Sequence, residues 1–394
     1  MEFLMDKFLK NLVVLILIFK SGSLYWSQYN GILNLVLGLI IIIFFLNKQL
    51  KIYKDSIRIF FILSFFMILS STFSIFSGNN PNIKEVGYLI VQMCLMFFTS
   101  CCFSIKEFVK IYINQILVIS IISVVCFILV NYFGIFDLPF KTVYTNGFQD
   151  YIITPYYTIG ITHPYTKVLD FSRNSGVLWE PGAWQVMVNI AIIFLLKYNS
   201  LNNKNIFKFF ILTITVLTIQ SSTGYIILGI NIFIYCKKYL NKIKNLKYML
   251  VFIVILLSVC YFSPVKNVIY DKVIMKEESY DTRANDISST YNIFFEKPIF
   301  GYGFDSTKYR ARELEVGIFN NSNGLGICFA SFGSIFTILY LYYLFKSLKK
   351  ITNFGVGDML LVSFIFILIH STEWFIFKGI LLFLVFPLRN EKRN

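Results

Sequence analysis

The chain has 394 residues, 57% of them hydrophobic and 19% aromatic, with a mean hydropathy of +0.68. Only 14% are charged, where a soluble domain carries about a quarter, so a water-soluble globular fold is excluded as the expectation. A formal net charge of +15 would suit nucleic acid, but most lysines and arginines lie in short turns between apolar runs, a membrane-topology pattern that argues for no nucleic-acid partner.

Apolar runs long enough for a hydrocarbon core about 30 Å thick, at roughly 20 residues per helical span, recur along the chain. In order they predict helices over residues 9–26, 31–47, 57–76, 86–103, 109–134, 180–197, 206–220, 222–237, 247–263, 321–346, 357–370 and 372–387. The expected fold class is an all-α polytopic membrane protein of about 12 transmembrane helices, forming one integral membrane domain over residues 1–394. With the N-terminus inside, Lys48, Lys51, Lys54, Lys106, Lys110, Lys204, Lys208, Lys346, Lys349 and Lys350 all fall in cytoplasmic turns, and both termini are cytoplasmic. The first apolar run has no small-residue cleavage site and reads as a retained span. The seven cysteines (94, 101, 102, 126, 236, 260 and 328) sit in or beside predicted spans, with neither a disulfide framework nor a CxxC metal pattern.

Two long outer loops interrupt the spans: loop one over residues 135–179 and loop two over 264–320. Pro139, Pro155, Pro164, Pro264 and Pro298 lie in them. Long loops in a compact protein are functional lids or disordered segments, and the richness of both in Tyr, Phe and Ile favours order. Phe, Ile, Asn, Lys and Tyr are abundant throughout, so the aromatics alone do not mark sugar platforms. No internal repeat is visible, which weighs against repeat-built transporters.

Loop one ends in Arg173-Asn174-Ser175-Gly176-Val177-Leu178-Trp179-Glu180-Pro181-Gly182, at the point where the chain re-enters the apolar phase. Charges there are costly to keep. Pro181 suits the first turn of a helix, and Glu180 faces the positive end of that helix dipole. Glu180 is thus either a helix cap or a carboxylate able to accept a proton from a hydroxyl. Arg173 either snorkels to lipid headgroups or presents its fork of donors to phosphate oxygens.

In loop two, Arg283 could bind an anion or pair with Asp281 or Asp286. Arg310 and Arg312 sit among Glu313 and Glu315, which favours a solvated ion-pair face, with Arg312 kept as a candidate substrate contact. Glu296-Lys297-Pro298-Ile299-Phe300-Gly301-Tyr302-Gly303 is a turn with two permissive glycines, without the GK[ST] of a phosphate-binding P-loop. His163 beside Pro164 is a loop residue or a titratable group near substrate. His163 and His370 have no metal-ligand spacing, and there is no GxSxG, HExxH or Asp-x-Asp, so no metal and no cofactor is expected.

With these residues in view, the chain resembles the O-antigen polymerase (Wzy-type) family of bacterial inner-membrane proteins, within the wider O-antigen polymerase/ligase group. The resemblance rests on the helices, the two loops, the run Arg173-x-x-Gly176-x-x-x-Glu180-Pro181, and Arg283 followed by Lys297-Pro298-Ile-Phe-Gly301-Tyr-Gly303. The small-residue helix start Asn323-Gly324-Leu325-Gly326 completes it. The resemblance implies a multi-pass plasma-membrane glycosyltransferase that joins undecaprenyl-diphosphate-linked repeat units into O-antigen or capsular polysaccharide on the outer face. It implies Arg173 and Arg283 on the departing diphosphate, Glu180 as base or acceptor-orienting group, and His163, Arg312 and Asn323 as further substrate contacts. Its implied partners are lipid-linked glycans, membrane lipids and a chain-length regulator.

The nearest alternative is an O-antigen ligase, which passes polymer to lipid A core. Ligases commonly carry a histidine late in the second loop, whereas residues 264–320 here contain none. Protein O-glycosyltransferases of the same group are a further alternative. A lipid-linked oligosaccharide flippase would need charges along a central cavity, and the mid-membrane runs are almost free of them, Glu373 and Lys378 excepted.

Overall fold

In the computed structural model, the described residues are 2–145, 150–160, 167–168, 171–198, 203–240, 278–316, 321, 323–372 and 375–389. The first helices are α1 (Glu2–Lys20), the single turn α2 (Leu24–Ser27), α3 (Asn30–Leu46), α4 (Lys54–Phe76), α5 (Ile83–Cys101) and α6 (Ile105–Phe133). Five short strands follow in loop one: β1 (Thr142–Thr145), β2 (Asp150–Ile153), β3 (Thr158–Gly160), β4 (Lys167–Val168) and β5 (Phe171–Ser172). Then come α7 (Pro181–Tyr198), α8 (Asn203–Ile219) and α9 (Ser222–Leu240). The last described helices are α10 (Glu278–Glu296), α11 (Thr307–Glu315), α12 (Gly324–Thr352), α13 (Val356–Thr372) and α14 (Gly379–Leu384). The chain is mostly helical, and α4, α5, α6 and α12 are long and apolar enough to cross a membrane. The helix predicted over 247–263 lies outside the described residues.

The chain divides into two compact units. One comprises Met1–Ser21, Tyr29–Phe108 and Asp281–Asn394; the other comprises Gly22–Gln28 and Val109–Tyr280.

In the first unit α4 packs on α5 and α12 through a face of small residues, with Ser64, Ser70, Ser71 and Ser74 buried. Small side chains let backbones approach closely, and hydroxyls find carbonyls across the gap. The predicted helix over 321–346 is broken: Gly333 has φ 79°, leaving the Ala330 and Ser331 carbonyls without helical partners. Loop two fills the break. Tyr302 and Gly303 donate their amides to the Ala330 and Ser331 carbonyls (2.8 and 2.9 Å), and Ser334 N–H donates to the Pro298 carbonyl (2.8 Å). Ser70 and Ser74 donate to the Phe300 and Tyr302 carbonyls, while Phe73 stacks on Phe300 at 4.1 Å. A Cβ on Gly301 would sit 2.5 Å from the Ser331 carbonyl oxygen, so the glycines of this segment serve close backbone approach. Residues 334–352 still provide about 28 Å of continuous helix, enough for a bilayer core.

Two predicted spans differ from what is found. The helix read over 9–26 occupies Glu2–Lys20 and stops where Gly22 takes φ 126°. Among the described residues, the span read over 372–387 forms only the short helix Gly379–Leu384 after the last residue of α13, about 9 Å of rise and too short to cross. Residues 380–386 are nonetheless fully enclosed, and the start of α14 docks on α1, with Ile380 N–H donating to Ser21 Oγ (2.9 Å).

In the second unit α7 is enclosed on every face from Ala183 to Leu196 and packs against α8 and α9. Tyr112 on α6 donates to the Met187 carbonyl (3.0 Å). Loop one carries an antiparallel sheet in the order β1-β2-β3. Its buried Tyr157 and Ile159 pack on Cys126, Phe127 and Val130 of α6. The β4–β5 hairpin then leads through Ser172 into the turn before α7.

Candidate functional site

The turn 172–180 lies at one end of the second unit, where α7 begins, α8 ends and α9 begins. Neutral amides hold it. Asn131 near the end of α6 clamps Ser172 from both sides: its Oδ1 accepts the Ser172 N–H (2.6 Å) and its Nδ2 donates to the Ser172 carbonyl (3.0 Å). Asn174 is completely buried and donates to Ser123 Oγ of α6 (3.3 Å) and Thr218 Oγ1 of α8 (2.9 Å). Its Oδ1 accepts the Gly176 N–H (2.9 Å), and its own N–H donates to the Thr218 carbonyl (3.2 Å). One side chain therefore fixes the turn to two helices.

Gly176 has φ 54°, and the indole of Trp184 lies against it. A Cβ there would sit 2.5 Å from the Trp184 ring. The Gly176 carbonyl accepts from Thr158 N–H (2.8 Å), joining the turn to β3. Trp179 donates its amide to the Gly22 carbonyl (3.1 Å), and a Cβ on Gly22 would overlap its ring.

The two charged residues of the turn are thereby placed. Glu180 is half-buried, and its carbonyl accepts the Trp184 N–H (3.2 Å), the first bond of α7, with Pro181 at the first helical position. Glu180 therefore stands at the positive end of the α7 dipole, as its sequence context predicts. Arg173, also half-buried, donates Nε–H to the Ile219 carbonyl (3.3 Å) at the C-terminus of α8, where a cation is favoured. Gln220 follows with φ 54°, and Ser221 Oγ accepts the Gly224 N–H (3.3 Å) to start α9.

Beneath the turn runs a polar seam that the sequence reading missed. Asn231 Nδ2 donates to Asn189 Oδ1 (3.2 Å), and Asn189 Nδ2 donates to Gln185 Oε1 (3.0 Å). The chain of amides ends at Gln185 Nε2, a buried donor with no partner among the described residues; the buried Trp184 Nε1 and Gln220 Oε1 likewise have none among them. The four-residue spacing of Gln185 and Asn189 in an otherwise apolar helix is the signal that could have found it.

The other predicted residues lie in the first unit or outside the described residues. Arg283 lies in the second turn of α10, in the first unit. Arg312 on α11 is committed to carboxylates: Nε and Nη2 donate to Glu296 and Nη1 to Glu315 (2.5 Å), so the ion-pair face expected from its neighbours is what forms. Asn323 is buried and caps α12, its Oδ1 accepting the Gly326 N–H (2.9 Å). His163 lies outside the described residues. No group of metal-ligating side chains occurs among the described residues. No known family model matches the chain, and no curated protein matches it.

Proposed function

We propose that the chain is an integral membrane glycosyltransferase that polymerises undecaprenyl-diphosphate-linked oligosaccharides on the outer face of the bacterial plasma membrane. The observation that carries this reading is the rigid turn holding an arginine and a glutamate at the ends of α8 and α7. Such a donor already bears its leaving group. The reaction then needs a group to take a proton from the acceptor hydroxyl and cations to stabilise the diphosphate as it departs.

In this scheme the acceptor oxygen bonds to the anomeric carbon while the bond from that carbon to the diphosphate oxygen breaks. Glu180 takes the hydroxyl proton, and Arg173 stabilises the developing charge on the diphosphate. Arg283, which lies in the other unit, and Arg312, already paired, are left out of the scheme, and Asn323 is assigned to its helix cap.

The test is the surface polysaccharide of the native host lacking this gene, with lipid-linked intermediates analysed alongside. A single repeat unit, extended again by the wild type but not by Arg173→Ala or Glu180→Gln at equal protein level, supports the polymerase. Full-length polymer held on undecaprenyl diphosphate would make the protein a ligase. Single units held on the cytoplasmic face would make it a flippase and overturn the scheme.

A further inference from the structure

The first unit contains a second cationic cluster, at the turn joining α4 to α5. Around it the arginines are matched to acids. Arg310 pairs with Asp305 (2.7 Å) and Glu313 (3.0 Å), and Arg312 pairs with Glu296 and Glu315. Lys297 and Lys308 form no salt bridge to a carboxylate among the described residues. Lys297 Nζ donates to Asn79 Oδ1 (2.9 Å) and stands 4.7 Å from the centre of the Tyr302 ring. Lys308 Nζ donates to the Ser77 carbonyl (3.4 Å), one residue beyond the end of α4. Burial first and the Lys308 ammonium second push the Lys297 pKa down, and the adjacent Glu296 carboxylate offsets them only in part.

The surroundings favour an anion. Asn79 is fully buried, and the Nδ2 of the amide that holds Lys297 has no hydrogen-bond partner among the described residues. The positive end of the α5 dipole opens on the same turn, where Asn82 caps the helix by accepting the Glu85 N–H (3.3 Å). The nearby carboxylates Glu296 and Asp305 are already held by arginines. The depth is informative too. α4 is one of the four candidate spans and ends at Phe76, which is 85% exposed, while Ile299, two residues from Lys297, is 55% exposed. Cations immediately beyond the last apolar turn of a span stand at the level of lipid headgroups.

We propose that Lys297 and Lys308 form a binding site for a lipid-borne phosphate, with the exposed apolar surface of Phe76 and Ile299 beside the lipid chains. Compact ammonium groups suit phosphate as point charges, and the bound oxyanion relieves the repulsion between them. The phosphate is carried either by a bilayer phospholipid or by an isoprenoid diphosphate. The inference rests on α4 crossing the membrane and not on glycosyl transfer.

The test uses the full-length protein purified in neutral detergent, with binding of phosphatidylglycerol, phosphatidylcholine, undecaprenyl diphosphate and inorganic pyrophosphate read by native mass spectrometry. The Lys297→Gln/Lys308→Gln double variant is expected to bind the anionic lipids roughly twentyfold or more weakly, from about fivefold per lysine. The double arginine variant should retain binding, and Lys84→Gln should match wild type. Preference for undecaprenyl diphosphate over phosphatidylglycerol would assign the site to the isoprenoid lipid, and the reverse to bilayer phospholipid. Equal loss in the arginine variant would reduce the lysines to a structural role and overturn the proposal, as would unchanged lipid binding in the glutamine variant. Release of the protein from membranes by alkaline carbonate would undo the spanning helix on which the site depends. The polysaccharide phenotype of the host bears on neither outcome.

Discussion

The turn before α7 and the segment between α10 and α11 hold their charged residues by opposite means. In the turn before α7, neutral and buried amides do the fixing: Asn131 on Ser172, and Asn174 on Ser123, Thr218 and Gly176. Between α10 and α11 the fixing is done by partly exposed ion pairs, Glu296 with Arg312 and Asp305 with Arg310. Buried hydrogen bonds contribute modestly when made, but are expensive to leave unmade. Exposed ion pairs are screened and individually weak. The turn bearing Arg173 and Glu180 is therefore held in one geometry by buried amides. The arginine pairs of the second segment tolerate substitution, even though its backbone is fixed on the Ala330 and Ser331 carbonyls, which is why the chemistry is assigned to the first.

The comparison breaks most directly at the proposed reacting groups. Glu180→Gln keeps the size of the side chain and should lower polymer formation by about a hundredfold or more, the scale on which removing a general base acts. Arg173→Ala should do the same. Polymer at wild-type level in either variant would remove that residue from the reaction.

Next in size is the scaffold of the turn. Asn174→Leu leaves Ser123, Thr218 and the Gly176 amide with lost partners in an enclosed place, and should cost about 2–3 kcal/mol. Thermal melting of the detergent-solubilised protein checks it, and a change no larger than that of an exposed surface substitution would contradict the role of Asn174. Gly176→Ala combines a left-handed backbone with a clash on Trp184 and should cost about 1–3 kcal/mol. The same melting experiment on Gly134→Ala provides a contrast, because Gly134 has φ 64° but open space where its Cβ would go.

The long apolar helices α4, α5, α6 and α12 were legible because long apolar runs leave the backbone few alternatives to helix. Glu180-Pro181 was legible as a helix start for a local reason, proline at the first turn. The run over 372–387 misled because a segment enclosed by protein and one facing lipid have the same composition; only docking on Ser21 distinguishes them. The break at Gly333 was invisible because its cause is distant: loop two supplies Tyr302 and Gly303 to the freed carbonyls. Asn174 was passed over for the same reason, since its value lies in Ser123 and Thr218, 51 and 44 residues away.

The smallest expected effect separates the second segment from the first by pH. Hydrogen bonds from Arg312, and then from Tyr302, hold the Glu296 carboxyl below the ordinary carboxylate range, against some burial. A folded pKa below the unfolded one gives stability that is complete above the unfolded value, about 4.3, and is lost as pH falls through the folded value. Tyr302 has the opposite sign. Burial first, and the bond to Glu296 second, push its pKa up to about 12, so its contribution is present below the unfolded value and fades as pH rises through the folded one. Glu296→Gln should therefore flatten both flanks of the melting temperature against pH, while lowering stability near pH 7 by less than Gly176→Ala does. Asn174→Leu should lower the whole curve without changing its shape, because no proton is bound or released by that amide. A pH profile altered by Asn174→Leu and left intact by Glu296→Gln would reverse the assignment of neutral and ionic fixing to the two segments.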